Sequence, residues 1–402
     1  MPNIRTFASL TRCVGASLIG TALFAASAVA EESATLKLIR NVQALQKEHG
    51  SYAPEVLPPL VKLGQLYGAG QCVHAIDMLD LAVEIGRRSE GLLSPKLLEV
   101  YDPLIGCYLT LDQPAELGRA QRIVVLINEA QYGYNDPRML PVLAEGARRY
   151  EEAGLYFSAR RLHRRAIEVA SHAAGRDDLS LVAPLRGMAR AYRLEYTYGL
   201  AVPDIADDEY LGSKLRSNAG SPIGALRFDR LGERSLEQAV KILRKHPDGV
   251  RSDLVDTLLE LGDWHQLAGH REEAVDVYRE AWHALNAEDA PESNLLRNAF
   301  PLRFRMRNGV PLRRTPLASE SYEKYTIDLA YNVTSDGKVH DVQVVESNAP
   351  RRMIPRVIED LKYTVHRPRF ENGEPVDEEG LIYRRNVYER GKGERVAGIT
   401  FK

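Results

Sequence analysis

Apolar residues recur at helical spacing through residues 36–285, and the pattern repeats itself. The clearest marker is a tyrosine that returns after 41, 42 and 42 residues, at Tyr67, Tyr108, Tyr150 and Tyr192. In the third copy a turn at Gly154 follows, and then Ala159, His163 and Ala166 at spacings of four and three. Such spacings place side chains on one face of a helix. The pattern therefore predicts a series of helix pairs with a fixed period.

The last copy of the repeat, "LLELGDWHQLAGHREEAVDVYREAW", indicates the kind of helix pair. It resembles the tetratricopeptide repeat (TPR) at the signature positions Leu258, Leu261, Gly262, Gly269, Ala274, Tyr278 and Ala281. His265 stands where that family usually has tyrosine, and the period is similar to the longer repeats of kinesin light chains. The resemblance implies an α-solenoid over residues 31–290, because one helix pair cannot bury its own apolar face.

A stack of this kind is expected to present a groove that holds a peptide or a protein segment. In the last repeat, Asp256, Asp263 and Gln266 are the residues predicted to point into the groove. No row of Lys and Arg accompanies them, so the pattern does not define the ligand. The series is interrupted at 197–230, where charged residues mix with Ser, Asn, Gly and Pro. This composition predicts an inserted loop or lid.

The hydrophobic pattern changes to period two near the C-terminal end. Ile327, Leu329, Tyr331 and Val333 alternate with small or polar neighbours, which is typical of a half-buried strand. The sequence "SDGK" then predicts a hairpin turn into a second, valine-rich strand. A helical segment, "MIPRVIEDLKYTV", and a last strand, "LIYRRNVY", follow. We expect a small α+β domain over residues 322–388.

Several short motifs of this domain, taken in order, resemble the C-terminal domain of the TonB family. The residues that carry the resemblance include Asp336, Gly337, Arg367, Pro368, Phe370, Gly373 and Pro375. It implies a small sheet with a helix on one face, whose exposed edge accepts an extended peptide by strand addition. TonB-type energy transducers also have a Pro-rich arm and an inner-membrane helix, and this chain shows neither pattern. Protein binding is therefore the main expectation.

The first thirty residues differ from the rest in composition. Arg5 and Arg12 are their only charges, an apolar stretch follows, and "AVA" at 28–30 precedes two glutamates. This order predicts a secretory signal peptide over 1–30 and export to the periplasm. The alternative is an uncleaved anchor in the inner membrane, which would be the only membrane contact of the chain.

Composition bounds the remaining possibilities. A length of 402 residues favours two or more domains, and 44% hydrophobic with 27% charged residues is typical of globular proteins. The formal net charge of −2 provides no global attraction to nucleic acid. Six arginines and no acidic residue occur over 295–316, which predicts a basic linker at 291–321. Residues 389–402 are predicted to be a tail.

Two cysteines remain after the predicted signal peptide, Cys72 and Cys107. The first should begin the second helix of repeat one, and the other should end the first helix of repeat two. Antiparallel neighbouring helices would bring these ends together, so a disulfide is possible in an oxidising compartment. It would contribute at most roughly 4 kcal/mol through its effect on the unfolded chain. Two buried free thiols are the alternative.

The sequence offers no recognisable catalytic chemistry. Its ten histidines are dispersed, and the motifs H-E-x-x-H, G-x-S-x-G and C-x-x-C are absent. His265 and His270 are five residues apart, which is the wrong spacing for one helix face, so both are predicted to be surface residues rather than ligands. We therefore expect no catalytic residue, cofactor or metal.

Together these patterns predict a mainly α fold, a TPR-like α-solenoid followed by a small α+β domain similar to that of TonB. The predicted function is a non-enzymatic periplasmic scaffold that binds proteins or peptides of the bacterial cell envelope. The repeat groove and the TonB-like domain would each contact partners, and nucleic acid is excluded. A divergent TonB-type energy transducer for outer-membrane transport is the alternative. A hydrolase with its site in the 197–230 insertion is a remote one.

Overall fold

A computed structural model describes residues 35–68, 70–198, 222–246, 251–286, 295–303 and 322–390. The chain divides into two compact units, Met1–Val142 and Leu143–Lys402. The predicted signal peptide, 1–30, lies outside the described residues. Among the residues that the structure describes, no helix combines the length and the apolar character that crossing a membrane would require.

The first unit contains successive helices joined by short turns. They are α1 (35–49), α2 (Leu57–Gly68), α3 (Cys72–Glu90), α4 (Leu98–Thr110) and α5 (Pro114–Tyr132). A short 3₁₀ turn that begins with proline precedes both α2 and α4. Proline suits the first turn of a helix because its fixed φ is already helical and it lacks an N–H that would go unpaired there. Pro54 and Pro95, which occupy equivalent positions in the first two repeats, therefore mark helix starts.

The second unit continues the helix pairs. Its helices are α6 (Met139–Glu152, which begins just before the unit boundary), α7 (Tyr156–Ala174), α8 (Val182–Tyr198), α9 (Pro222–Lys245), α10 (Arg251–Ala268) and α11 (Arg271–Leu285). Helices α7 to α10 each pack against the next helix along the chain. The bounds predicted for the insertion, 197–230, are too wide at both ends, because α8 continues through Tyr198 and α9 already begins at Pro222. Residues 199–221 lie outside the described part of the chain.

Burial of the signature residues confirms the predicted helix pair at the last repeat. Leu258, Ala274, Tyr278 and Ala281 are all completely buried. Gly262 explains how α10 and α11 come so close, because a Cβ at this position would lie 2.4 Å from the Tyr278 ring. The small residues of the repeat thus make room for the large ones, as the TPR resemblance implies.

The C-terminal domain is built on a three-stranded antiparallel sheet. Its strands are β2 (Tyr322–Val333), β3 (Val339–Ser347) and β7 (Glu378–Arg390), in the order β3-β2-β7. Helix α12 (Ile354–Lys362) packs on β3. The predicted alternation along β2 is confirmed, because Ile327, Leu329, Tyr331 and Val333 are buried in the domain core. The hairpin turn between β2 and β3 is confirmed as well, with Gly337 at φ +78°.

Two short antiparallel pairs complete the domain, and one of them corrects the predicted linker. Strand β1 (Phe300–Arg303) pairs with β4 (Val365–Arg367), and β5 (Arg369–Glu371) pairs with β6 (Glu374–Val376). Strand β1 lies within the segment 291–321, which was predicted to be a linker. Leu296 and Ala299 are also buried, so residues 295–303 form part of the folded structure rather than a linker. Residues 304–321 lie outside the described residues.

Candidate functional site

The predicted groove of the last repeat holds the chain's own C-terminal domain. Asp263, on α10, is 3% exposed and accepts two hydrogen bonds from the guanidinium of Arg367, on β4. Both N–H···O distances are 2.8 Å, from Nε to Oδ1 and from Nη2 to Oδ2. This two-pronged geometry is the strongest form of a carboxylate–guanidinium contact. It joins residues that are 104 positions apart in the sequence.

Further hydrogen bonds satisfy the remaining polar atoms of this buried pair. The Tyr278 hydroxyl donates to Asp263 Oδ1 at 2.8 Å, and Arg367 Nη1 donates to the carbonyl of Leu295 at 3.2 Å. Burial and the Asp263 carboxylate raise the pKa of Tyr278, so it remains a donor. Burial by itself would lower the pKa of Arg367, but the Asp263 carboxylate outweighs it and raises that pKa, so Arg367 stays charged.

A second contact fixes the tip of the β2–β3 hairpin on the same helix. Gln266 Nε2 donates to two backbone carbonyls, those of Asp336 at 2.9 Å and His366 at 3.1 Å. Arg271 Nη1 forms an ion pair with the Asp336 carboxylate at 2.9 Å. Gly337 is essential to this contact, because a Cβ there would lie 2.2 Å from the His366 carbonyl oxygen and 2.3 Å from Gln266 Nε2.

Several of the residues that carry the predicted resemblance to TonB contact the last helix pair. Phe370, on β5, packs edge-on against Tyr278 with ring centroids 5.8 Å apart. Gly373, in the β5–β6 turn, lies next to Trp282 and His283 of α11. Pro368 separates β4 from β5, and Pro375 lies in β6. Asp336, Arg367, Phe370 and Gly373 thus hold the C-terminal domain on the last helix pair. We call this set of contacts the seat of the C-terminal domain.

This arrangement changes the interpretation of the three predicted groove residues. Asp263 and Gln266 bind the chain's own C-terminal domain rather than presenting themselves to a separate partner, because Arg367 and the hairpin tip cover them. Asp256 differs, since its side chain is 48% exposed and lies 3.9 Å from Arg186. No sequence pattern predicted the Asp263–Arg367 junction, because neither of these two residues lies in a motif that points to the other.

The two edges of the sheet differ in regularity. Within the described residues, β3 and β7 each pair with β2 and with no other strand. Strand β3 has two register shifts against β2, and Asp341 within it has φ +51°. Strand β7 spans 13 residues with one register shift near its start, and Ile382 on it is 62% exposed. The longer and more regular free edge is therefore β7.

Cys72 and Cys107 lie close together in the first unit as buried free thiols. The Cys72 thiol contacts the carbonyl of Gly68, with 3.7 Å between sulfur and oxygen. Burial, together with the neighbouring Cys72 thiol, raises the pKa of Cys107 to about 12. The predicted proximity of the two residues is thus present, and the disulfide itself stays a prediction.

One group of side chains in the described part of the chain has the composition of a metal site. Glu233, His265 and His270 each offer a ligand atom, and these atoms all lie within 4.8 Å of one another. The prediction that both histidines are surface residues is wrong for His265, which is 7% exposed. The spacing argument assumed one continuous helix, whereas α10 ends at Ala268 and a turn at Gly269 redirects the chain.

Comparison with known proteins gives partial structural similarities. The kinesin light chain nearly identical TPR-like repeats of Podosopora anserina are 20% identical to this chain, with a TM-score of 0.39, and cover 59% of this chain and 99% of that one. A single-substitution variant of those repeats is also 20% identical to this chain, with a TM-score of 0.38, and covers 58% of this chain and 95% of that one. BtubC (BKLC) from P. vanneervenii is 13% identical, with a TM-score of 0.31, and covers 65% of this chain and 93% of that one. No protein-family model and no curated protein sequence matches the chain.

Proposed function

We propose that the chain is a non-enzymatic scaffold that binds proteins, and that β7 is a principal docking edge. The observation that carries the proposal is the buried Asp263–Arg367 junction, which fixes the sheet on the last helix pair in one orientation. A domain held in this way presents β7 as a preformed template. Preorganisation of this kind favours binding, because the partner alone has to become ordered.

The chemistry of β7 suits an extended protein segment. A strand at the edge of a sheet has a row of backbone N–H and C=O groups without partners, and an added strand satisfies them. Ile382 is 62% exposed, and Arg384 on the same face of the sheet has a side chain that is 69% exposed. We expect the partner segment to place an apolar side chain beside Ile382, since Arg384 already binds the Asp328 carboxylate.

The proposed location is the periplasm of a Gram-negative bacterium, with proteins of the cell envelope as partners. The composition of residues 1–30 supports export, and the motif residues from Asp336 to Pro375 support a relationship to envelope proteins that accept peptides. A divergent TonB-type energy transducer is the second candidate, favoured by the same motif. The two candidates differ in the fate of residues 1–30.

Site-specific photocrosslinking tests the docking edge. A photoreactive amino acid at Ile382 of the full chain is expected to form a crosslinked product in the source cells. The same substitution at Val345, which is 61% exposed on β3, is the matched control and is expected to give far less. A synthetic peptide from the captured segment should bind the purified chain, and Ile382→Asp should weaken this binding at least tenfold. Equal binding by the Ile382→Asp variant would disprove docking at β7.

The location and the alternative are tested by the mass of the mature protein. Purification from separated membrane and periplasmic fractions, followed by intact mass measurement, is expected to give a chain that begins at Glu31 in the periplasmic fraction. A full-length chain retained in the inner membrane would contradict the scaffold in favour of the transducer.

A further inference from the structure

Three helical segments meet beside the seat of the C-terminal domain. Gly232 allows α9 to approach α10 closely, because a Cβ at residue 232 would lie only 2.1 Å from the Trp264 ring. This approach brings the carboxylate of Glu233 to 3.5 Å from Nδ1 of His265. After the turn at Gly269, the His270 ring returns to within 6.2 Å of the His265 ring, measured between centroids. Three residues from separate segments thus converge on one point.

The buried member of this group has an unused nitrogen. The His265 side chain is 9% exposed, and its Nδ1 atom is buried without a hydrogen bond to any group. Buried polar atoms nearly always have a partner, and one without a partner indicates a missing ligand, ion or water. The atom faces the Glu233 carboxylate, which is the direction in which the other two candidate ligands lie.

We propose that Glu233, His265 and His270 bind a zinc ion. Imidazole nitrogen and carboxylate oxygen are ligands that Zn²⁺ prefers, and a site with three protein ligands leaves one position for water. Tetrahedral ligands at a Zn distance of about 2 Å stand about 3.3 Å apart. The 3.5 Å between Glu233 and His265 already matches this spacing. The ligand atoms of all three residues lie within 4.8 Å of one another, and ion binding would draw the exposed His270 side chain into the same spacing.

The surroundings of the group favour a cation. The carboxylates of Glu237 and Glu273 also act on His265, so together with Glu233 three negative groups lie around this imidazole. Negative charge gathered in this way attracts a divalent cation.

The proposed ion has a structural consequence for the junction. It would connect α9, α10 and the start of α11, and each histidine neighbours a residue that holds the C-terminal domain. Gln266 follows His265 and binds the hairpin tip, and Arg271 follows His270 and pairs with Asp336. Zinc would thus stabilise the seat of the domain, since a ligand that binds only the folded form shifts the folding equilibrium.

Zinc titration of the full chain tests the proposal. Untagged protein freed of metal with a chelator is titrated with ZnCl₂ by calorimetry, and the wild type is expected to bind one equivalent. His270→Ala removes an exposed ligand without disturbing the core and should weaken binding at least tenfold, as should Glu233→Gln. His172→Ala removes another exposed helical histidine and is the matched control, with unchanged binding expected.

Cobalt spectroscopy and heating supply independent measurements. Co²⁺ in place of zinc is expected to give visible absorption bands of a tetrahedral site that the His270→Ala variant lacks. Zinc is expected to raise the melting temperature of the wild type and of His172→Ala, but not of His270→Ala. Wild-type protein that binds no zinc, or a His270→Ala variant that binds it as tightly as the wild type, would overturn the site. Either result leaves docking at β7 untouched.

Discussion

The Asp263–Arg367 junction allows a quantitative prediction for the substitution Arg367→Met. Methionine keeps most of the apolar length of the side chain but removes the charge and all of its hydrogen bonds. Within the described residues, Asp263, 3% exposed, then keeps the Tyr278 hydroxyl at 2.8 Å and the Arg193 guanidinium at 3.8 Å. Loss of one partner from a buried ion pair typically costs 3–5 kcal/mol, since the other charge is left uncompensated. Because Arg193 stays near, we expect the lower end, about 3 kcal/mol.

The assay is urea unfolding followed by tryptophan fluorescence. The chain has two tryptophans, Trp264 and Trp282, and both belong to the helix pair that carries the C-terminal domain. Their emission therefore reports on the junction directly. The double variant Asp263→Leu with Arg367→Met is expected to recover most of the loss, because well-packed apolar residues replace a buried ion pair at little cost. Recovery will be incomplete by about 1 kcal/mol, since the Tyr278 hydroxyl loses its acceptor.

A matched control separates burial from geometry. Arg244 binds Glu280 through the same two-pronged contact, at 3.0 and 2.6 Å, but the two side chains are 55% and 41% exposed. Ion pairs in water contribute little, because solvent screens the charges and compensates for their loss. Arg244→Met should therefore leave the unfolding midpoint almost unchanged. An Arg367→Met variant that is no less stable than Arg244→Met would refute the argument from burial.

Three further predictions concern packing, pH and thiol chemistry. Gly262→Ala should destabilise the last helix pair by about 1–3 kcal/mol in the same urea assay, because the added methyl collides with the Tyr278 ring. Burial lowers the pKa of His366 to about 4, so below about pH 6.5 the unfolded chain takes up a proton that the folded one does not. The free energy of unfolding should thus fall by roughly 3 kcal/mol between pH 6.5 and 4, and His366→Gln should remove this loss. Iodoacetamide at pH 8 should leave Cys107 of the folded chain unmodified, since burial raises its pKa to about 12.

Each of these predictions has a control and a contradicting result. Gly106→Ala, where a Cβ meets nothing within 4 Å, should not destabilise the chain, and equal losses for both glycine variants would contradict the packing argument. His340→Gln removes an exposed histidine and should leave the pH dependence unchanged; a wild type as stable at pH 4 as at pH 7 would refute the pKa argument. Unfolded, reduced protein that begins at Glu31 should carry two adducts by mass, at Cys72 and Cys107, whereas the same protein unfolded without reduction and found without adducts would support the predicted disulfide.

Periodic patterns explain why most of the fold was predictable. The tyrosines spaced by about 42 residues locate the helix pairs, since a helix repeats its buried face at fixed intervals. The alternation from Ile327 to Val333 locates β2 for the corresponding reason. Both signals are local, and each element follows from residues within one segment of the chain.

The junction and the histidine group depend on contacts between distant segments, which no local pattern encodes. Arg367 and Asp263 meet across 104 positions, so either residue alone could equally have been a solvated charge. The sequence predicts a surface position for His265 only if His265 and His270 lie on one continuous helix, where a spacing of five residues places them on different faces. The signal that was available is Gly269, a glycine at the TPR turn position, which ends α10 and reverses the chain between the two histidines.

Gly337 limits how freely the C-terminal domain could have been exchanged between proteins. Its φ of +78° is required by the hairpin turn, and the absence of a side chain makes space for the Gln266 amide. The same glycine is therefore needed both for the fold of the sheet and for its contact with α10. A graft of residues 322–390 onto another helical array would meet neither that amide nor the Asp263 carboxylate. A functional transfer of this domain to another protein would therefore have to include the final helix pair, so residues 251–390 rather than the sheet alone are the unit expected to be exchanged.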